Sequence, residues 1–435
     1  MTHACDALVI GSGVGGLCAA ARLAHQGFKV LIVEQHDRVG GRASTIERDG
    51  FHINTGAIAI EYGGVMEETF HLVGAPWDIR IPKPATLFRI AGRDVDLSKG
   101  GWGLLVNGIT KKGATLLDSL GRARQGDLPE EHMSTKAWLE RYTSNQTLHA
   151  VFRNLCAAIF AVNSDELPAK AFLTYFIQKG AFRNFGFCPR GTLGLMQGLA
   201  DAVIQRGGAV WLESDVRGLR VDGGRVVGGT VRRDGQDVDV TAKVVISNAG
   251  PERTVQLCGR EHFAADYLTR MDRDLKATAN IVVNIASRTP LLEAPGIVTF
   301  GITRRLCNIG NLTATCPELA PPGWHLSVAY GVPCPAVGDF DERTEIDATL
   351  QDLRDEFPTF DQARILSIEV MRGDWPAQRS IAGLDLPQST PLPNLWNVGD
   401  GVREYANGGT QACAETAKLV VEQAQPLLAA GGRAA

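Results

Sequence analysis

Apolar and polar positions change their spacing in an ordered way along this chain. Ala7-Leu8-Val9-Ile10 is a short, unbroken apolar run, which predicts a strand buried on both faces. From Leu17 to Gln26 the spacing becomes helical and Ala-rich, and Gly27 follows as a helix stop. Lys29 to Glu34 is a second buried strand with an acid at its end. The three segments make a β-α-β unit of about 30 residues.

Beyond this unit the pattern is mixed. Thr69 to Gly74 is helical, and Ile79 to Leu97 reads as short strands. Helices are expected near Leu116 to Leu120, over Thr135 to Tyr142 with Ser134 as N-cap, and over Leu148 to Ala161 and Ala169 to Lys179. Leu193 to Arg206 is a further amphipathic helix, ended by Gly207-Gly208. Ala209 to Leu212, Val216 to Val221, Arg225 to Arg232 and Val238 to Thr241 are consecutive strands, with turns at Asp222-Gly223-Gly224 and Asp234-Gly235. Val244-Val245-Ile246 is another fully apolar strand. Ile281 to Ile285, Gly296 to Ile302 and Leu326 to Tyr330 alternate as an antiparallel sheet would. Ile346 to Phe357 is helical, Leu395 to Val398 is a strand, and Thr410 to Leu428 is a closing helix before a frayed tail, Ala429 to Ala435.

Composition narrows the class. The 435 residues are 44% hydrophobic and 21% charged, a globular balance that excludes a disordered chain. The 49 glycines follow no G-x-y period, so they signal tight turns and close backbone approaches. A net charge of -4 without a basic stripe gives no footing for nucleic acid. The nine cysteines are scattered, with no CxxC pair, so neither a disulfide framework nor a zinc site is expected, and a reducing, cytoplasmic setting is. No apolar run approaches the ~18 residues of a membrane span. Trp102, Leu104, Leu105 and Val106 beside Lys111-Lys112 read as a buried core helix or, alternatively, as peripheral contact with a bilayer.

Candidate chemistry begins at Gly11-Ser12-Gly13-Val14-Gly15-Gly16. Between a strand and a helix, Gly11 permits the tight turn, Gly13 lets a pyrophosphate approach the backbone, and Gly16 lets the helix pack on the strand. The helix N-terminus offers free N–H groups to phosphate. Glu34, ending the next strand, is suited to accept hydrogen bonds from both hydroxyls of an adenosine ribose.

The run Glu34-Gln35-His36-Asp37-Arg38-Val39-Gly40-Gly41-Arg42 carries a second glycine pair flanked by arginines. It resembles the RxGGR motif of FAD enzymes in the amine oxidase and phytoene desaturase superfamily. Val216, followed by Val244 to Asn248, resembles the family's second FAD segment. Leu395 to Asp400 resembles its strand-Gly-Asp motif, and Gly408-Gly409-Thr410 opens the last helix. Pro189 to Leu193 is similar to the Pro-x-Gly-Gly-Met segment of phytoene desaturase-like proteins, with Thr192 replacing a Gly. Pro317 to Gly323 is similar to their AP-x-G turn. Phe51 to Gly56 is similar to their Phe-x-x-Asp-x-Gly, with Asn54 where an Asp is usual.

The resemblance implies an α/β fold: a discontinuous Rossmann-type FAD-binding domain (1–75, 186–262 and 372–435) with an inserted α+β substrate domain (76–185 and 263–371) containing an antiparallel sheet. FAD would be bound non-covalently, since Cys413 is displaced from the family's covalent position. Gly11, Gly13, Gly15, Gly16, Glu34, Gln35, Arg38, Gly40, Gly41 and Arg42 would hold it, with Val216 and Asn248 at the adenine side. Asp400, after Gly399, would accept from the ribitol, and the helix opened by Gly408, Gly409 and Thr410 would point its positive end at flavin N1 and O2. The resemblance suggests Tyr405 facing the flavin as the one candidate base, and Trp375 lining a substrate pocket or lying in the core. Arg403, Glu404, Tyr405 and Asn407 make the closing segment, Gly401 to Gly408, polar for a tunnel that would admit a hydrocarbon, unless Arg403 and Glu404 simply face solvent. The nine histidines do not cluster, and His52 and His325 read as strand positions.

The expected function is an FAD-dependent dehydrogenase or desaturase. It would form a C=C bond in a compact, apolar or alicyclic substrate such as a cyclic ketone or acid, and pass electrons to oxygen or a quinone. The alternatives are a flavin amine oxidase, and a carotenoid desaturase or redox-neutral double-bond isomerase.

Overall fold

The computed structural model describes residues 2–90, 92–96, 122–123, 126–178 and 185–430. Two seven-stranded sheets organise it. At the centre of the first, Thr2–Ile10 pairs in parallel with Val30–Val33 on one side and Gln236–Ser247 on the other. The alternation of the strand side chains assigns two faces. Ala7, Val9, Val30, Ile32, Val244 and Ile246 pack under Val14–His25, Gly191–Gln205 and Gly409–Ala430. Leu8, Ile10, Leu31, Val33 and Val245 pack on the opposite side with Val255, Leu257 and Tyr267. Both faces are covered, which is why these strands read as unbroken apolar runs. Ala209–Trp211 extends one edge and Leu395–Asn397 pairs with the end of Gln236–Ser247.

Two expected strands, Val238 to Thr241 and Val244 to Ile246, are one continuous strand, Gln236–Ser247. Its first half forms an antiparallel ribbon with Arg225–Arg233, and its second half enters the parallel core. The polar break at Lys243 marks the passage from surface to interior, while the backbone ladder runs on.

The second sheet runs Arg364–Met371, Asn280–Ser287, His325–Gly331, Leu306–Asn311, Ile297–Phe300, Thr86–Ile90, Arg93–Val95. It is antiparallel except where Thr86–Ile90 runs parallel to Ile297–Phe300, so the expected antiparallel sheet is mixed at one pairing. One face (Ile281, Val283, Ile285, Val298) is closed by Leu353 of the helix Glu342–Glu356. The other looks toward Gln146–Phe160 and the first sheet's loops. Every strand of the first sheet lies within 1–75, 186–262 or 372–435, and every strand of the second within 76–185 or 263–371.

Local chemistry sets the helix ends. Ser134 Oγ accepts from Ala137 N at 3.1 Å, the cap expected from sequence, and Asp341 Oδ1 accepts from Thr344 N at 2.7 Å. Pro251–Cys258 and Ala265–Asp274 are further helices, amphipathic but not among those expected. The first is eight residues, opened by proline at its first position. The expected helix at Leu116 to Leu120, the apolar stretch from Trp102 to Val106 with Lys111-Lys112, and the end of the tail lie outside the described residues. Among the described residues no helix is long and apolar enough to cross a membrane.

Candidate cofactor-binding and active site

A cavity of about 720 Å³ runs from the glycine turn after Thr2–Ile10 to the inner face of the second sheet. At its first end Gly11 adopts φ +86°, and its N–H bonds Val33 O at 2.8 Å. The helix Val14–His25 starts directly afterwards with no side chain capping its N-terminus, so its first N–H groups remain available to an anion. A Cβ on Gly16 would lie 2.1 Å from Gly11 O, and one on Gly13 would lie 2.4 Å from Asn248 Oδ1. Gly16 therefore requires glycine, although it lines no part of the cavity, while a side chain at Gly13 would displace the Asn248 amide. The second glycine pair docks on this turn: Gly40 N bonds Ser12 O at 2.9 Å, and Gly40 bridges to Gly13.

Glu34 is buried at the end of Val30–Val33. Its Oε2 accepts from Ser12 N at 2.8 Å and Ser12 Oγ at 2.7 Å, and Oε1 accepts from His36 N at 2.9 Å. A carboxylate offers about four acceptor sites, so this one is held rigidly with little capacity to spare. Val216, Ser214 and Asn248 close the same end. Asn248 ties three segments together, since its N–H bonds Ile10 O and its Nδ2 bonds Val398 O.

In the middle of the cavity charge is concentrated. Arg42 makes a two-pronged pair with Asp400, at 2.8 and 2.6 Å, and also donates to the carbonyls of Pro376 and Ala377. Burial alone would raise the Asp400 carboxyl, but the Arg42 guanidinium outweighs it and holds the group well below the usual carboxylate range. Arg379 donates its backbone N–H to Asp400 at 2.9 Å. Its guanidinium lines the cavity without a hydrogen-bonding or ionic partner among the described residues. Burial and the nearby Arg42 lower its pKa. An unpaired guanidinium, an uncapped helix N-terminus and a glycine turn form a cradle with the donor set a pyrophosphate needs.

At the next step the C-terminal helix Gly409–Ala430 begins. Its N-terminus is already met by Glu61, whose carboxylate accepts from Thr410 N at 3.2 Å, Gln411 N at 3.4 Å and the Thr410 hydroxyl. Burial pushes the Glu61 pKa up against these bonds. Cys413 bonds Gly409 O at 3.6 Å, and burial also raises its thiol, which leaves it a poor nucleophile. The far end is lined by Ala157, Ala158, Ile159, Tyr175, and the sheet residues Asn280, Ile297, Thr299, Asn308, Tyr330 and Met371.

The cavity thus gathers Gly11, Gly13, Gly15, Glu34, Gln35, Gly40, Gly41, Arg42, Val216, Asn248, Asp400, Gly409, Thr410 and Trp375 on one surface. Several expectations need correction. Arg38 turns away to Asp37, at 2.7 Å, and does not line the cavity. Gly399 and Gly408 lie behind it; Gly399 N bonds Thr416 Oγ1 at 2.9 Å. Asp400 is not a free acceptor, because Arg42 takes both its oxygens. Trp375 is on the cavity, but its ring stands 5.2 Å from that of His36, at the Glu34 end and not under the sheet.

Tyr405 is not on the cavity at all. The chain turns at Ala406, with φ +60°, and the Tyr405 ring packs at Gly383 with the Lys170 ammonium 5.2 Å from its centroid. Its hydroxyl is buried without a partner, and burial pushes its pKa up to about 12. Arg403 lines the cavity and is fully buried against Asp385 at 2.9 Å, whereas Glu404 is exposed. Asn54 and Thr192, the two departures noted in sequence, meet each other: Thr192 N and Oγ1 both reach Asn54 Oδ1 at 3.4 Å. His52 and His325 are strand residues, and no metal-binding cluster occurs among the described residues.

Sequence reasoning missed Glu61, Arg379, Asn280, Thr299 and Asn308. Polar residues inside otherwise apolar strands, as in Leu306-Cys307-Asn308-Ile309, were the available signal.

A glycine-turn cradle at the carboxyl edge of a parallel sheet, roofed by a second sheet, defines a dinucleotide-binding enzyme of the flavoprotein class. The family model for flavin containing amine oxidoreductases matches residues 14–424, and the chain belongs to that family. It is 24% identical over 490 aligned positions to a phytoene dehydrogenase of Streptomyces griseus, covering 94% of this chain and 90% of that one. The solved structure of an oxidoreductase from Methanosarcina mazei superposes with a TM-score of 0.85 at 25% identity, covering 97% and 100% of the two chains. A putrescine oxidase superposes at 0.70 with 14% identity, covering 98% and 100%, a likeness of fold. The protein is an FAD-dependent oxidoreductase with a Rossmann-type α/β fold.

Proposed function

We propose that the protein is a dehydrogenase that forms a C=C bond in a compact, neutral, largely apolar substrate. FAD would be held non-covalently, its pyrophosphate by Gly11 to Gly15 with Arg379 and its ribose by Glu34, beside the rigid neutral pair that Arg42 forms with Asp400. Bound FAD supplies a hydride acceptor at N5. The chain's own part is to hold the substrate's C–H bond against it and to keep water out. Apolar side chains from Ala157 to Ile159, Ile297 and Met371 support that role.

The observation that carries this reading is the lining from the second sheet. Asn280, Ile297, Thr299, Cys307, Asn308, Tyr330 and Met371 carry no formal charge. A substrate anion would find no counterion there, which favours the ketone over the acid. Tyr405 has no part in the chemistry. If the C–H bond lies next to a carbonyl, Glu61 is the better candidate to take the α-proton, as it is a carboxylate on the cavity wall. Electrons leave to oxygen or a quinone.

The second reading is an amine oxidase. It draws support from Glu61, the one carboxylate beside Thr410 and Tyr175 on the wall, which could attract an ammonium group. Anaerobic titration separates the two. Bleaching of the flavin band by cyclohexanone-type ketones but not by alkyl amines supports the first reading. Bleaching by amines alone rejects it, and bleaching only by a long polyene moves the assignment to a carotenoid desaturase.

A further inference from the structure

The second sheet's cavity face contains a polar row that no hydrogen bond of the fold accounts for. Thr299 and Asn308 are direct cross-strand partners, and Asn308 stands opposite Tyr330 on the next strand. Tyr330 in turn pairs with Val282, two residues from Asn280 on the same face. Thr299 is 1% exposed and Asn308 7% exposed. Thr299 Oγ1, Asn308 Oδ1 and Asn280 Oδ1 are buried and have no hydrogen-bond partner, although all three residues line the cavity. Tyr330 differs, because its hydroxyl is satisfied by Gly56 O. Buried polar groups left unpaired cost stability, and a sheet of this composition could as well carry Val or Leu at these positions.

We propose that Thr299 and Asn308, with Asn280 at the margin, form a subsite that binds a hydroxyl group of the substrate. This rests on the reading above that the sheet end of the cavity receives the substrate, and it names what that substrate carries. The row has no charge, so it selects a neutral group. Two amide oxygens and one hydroxyl oxygen ask for a ligand that donates. Either amide, rotated, would present N–H groups and ask for a ligand that accepts. A hydroxyl does both; a ketone only accepts, and a hydrocarbon does neither. The reacting carbon would then lie toward the glycine-turn end, with the hydroxyl at the sheet as a distant anchor.

The test uses the flavin-loaded protein and reads binding without turnover. Menthol, menthone and p-menthane form a matched series with a hydroxyl, a ketone and neither. Each is titrated against the flavin difference spectrum in the wild type, Thr299→Val and Asn308→Leu. The wild type should respond to menthol at lower concentration than to menthone or p-menthane. Each variant should lose about tenfold of the menthol preference over p-menthane. Ligand-free melting temperature is the second readout: the variants should melt at or above the wild-type value, because an unpaired polar group has been removed. The proposal is overturned by an unchanged preference in both variants, by no spectral response to menthol up to its solubility, or by a fall of several degrees in both variants, which would make the groups structural. Menthol binding as expected, with no flavin bleaching by any alicyclic compound, would reject the dehydrogenase reading and leave the hydroxyl subsite standing.

Discussion

The two ends of the cavity are built by opposite means. The glycine-turn end is built chiefly on main chain, a strand, a turn and a helix between Thr2 and His25, and is closed by Glu34, Val216 and Asn248. The sheet end is made of side chains from strands spread between Thr86 and Met371. Main chain recognises what every dinucleotide shares, phosphate and sugar. Side chains on a sheet can change singly without disturbing the ladder, so that end is free to vary while the other is not. Between them stands the Arg42–Asp400 pair, which joins a loop of the first segment to one of the last.

The largest effect should come from breaking that joint. Arg42→Ala leaves the Asp400 carboxylate buried without its partner and should cost about 3–5 kcal/mol in urea unfolding at pH 7. The folded pKa of Asp400 lies below its unfolded value, so the pair's contribution is full above the ordinary carboxylate range and disappears as pH falls through the folded value. The gap between wild type and variant should therefore shrink below about pH 4. A gap that stays constant to pH 3 would mean the pair is not the source.

Next is Glu34, which tests whether the main-chain end is self-sufficient. Glu34→Ala removes three hydrogen bonds to Ser12 and His36 as well as any to the ribose. With charged hydrogen bonds worth roughly 1.5–3 kcal/mol each, FAD retention should weaken by one to several decades. Full flavin occupancy after exhaustive dialysis would show that the glycine turn holds the cofactor alone. Substrate preference should not move.

Glu61 sharpens the comparison at the boundary between the ends. Its folded pKa is raised, so the native state binds protons more tightly than the unfolded chain over that interval. Stability is then lost as pH rises from the unfolded value through the folded one. Glu61→Gln should remove this loss, and its melting temperature should exceed the wild type's at pH 8 by more than at pH 4.5. Equal differences at the two values would mean the carboxylate stays ionised on the helix N-terminus. In that case the bonds from Thr410 and Gln411 outweigh burial.

The smallest effect is assigned to Tyr405. Its hydroxyl is off the cavity and unpaired. Tyr405→Phe should leave flavin reduction unchanged and stability equal or slightly higher. A tenfold slower reductive step would bring Tyr405 back to the flavin and undo the geometry described for this segment.

By itself the sequence determined the main-chain end. Gly11, Gly13, Gly16, Glu34 and the Gly40-Gly41 pair act through local turns and through contacts between adjacent elements, so their roles are legible from spacing. The buried stretches of the parallel core, Ala7 to Ile10, Val30 to Val33 and Val244 to Ile246, were equally plain, because burial on both faces leaves no polar residue in them. Only the tertiary structure decided the rest. Tyr405 lies in a segment rich in possible roles, and packing of its ring at Gly383 keeps it off the cavity. Arg42 and Asp400 are 358 positions apart, so no spacing rule could pair them. Asn280, Thr299 and Asn308 each stand out only as a polar residue in a largely apolar strand, with nothing local to join them. They become a row only because sheet register sets Thr299 opposite Asn308 and brings Asn280 onto the same face. Side-chain chemistry drawn from distant strands depends on register and face. Those are settled by packing of the whole sheet, not by any short stretch of the chain.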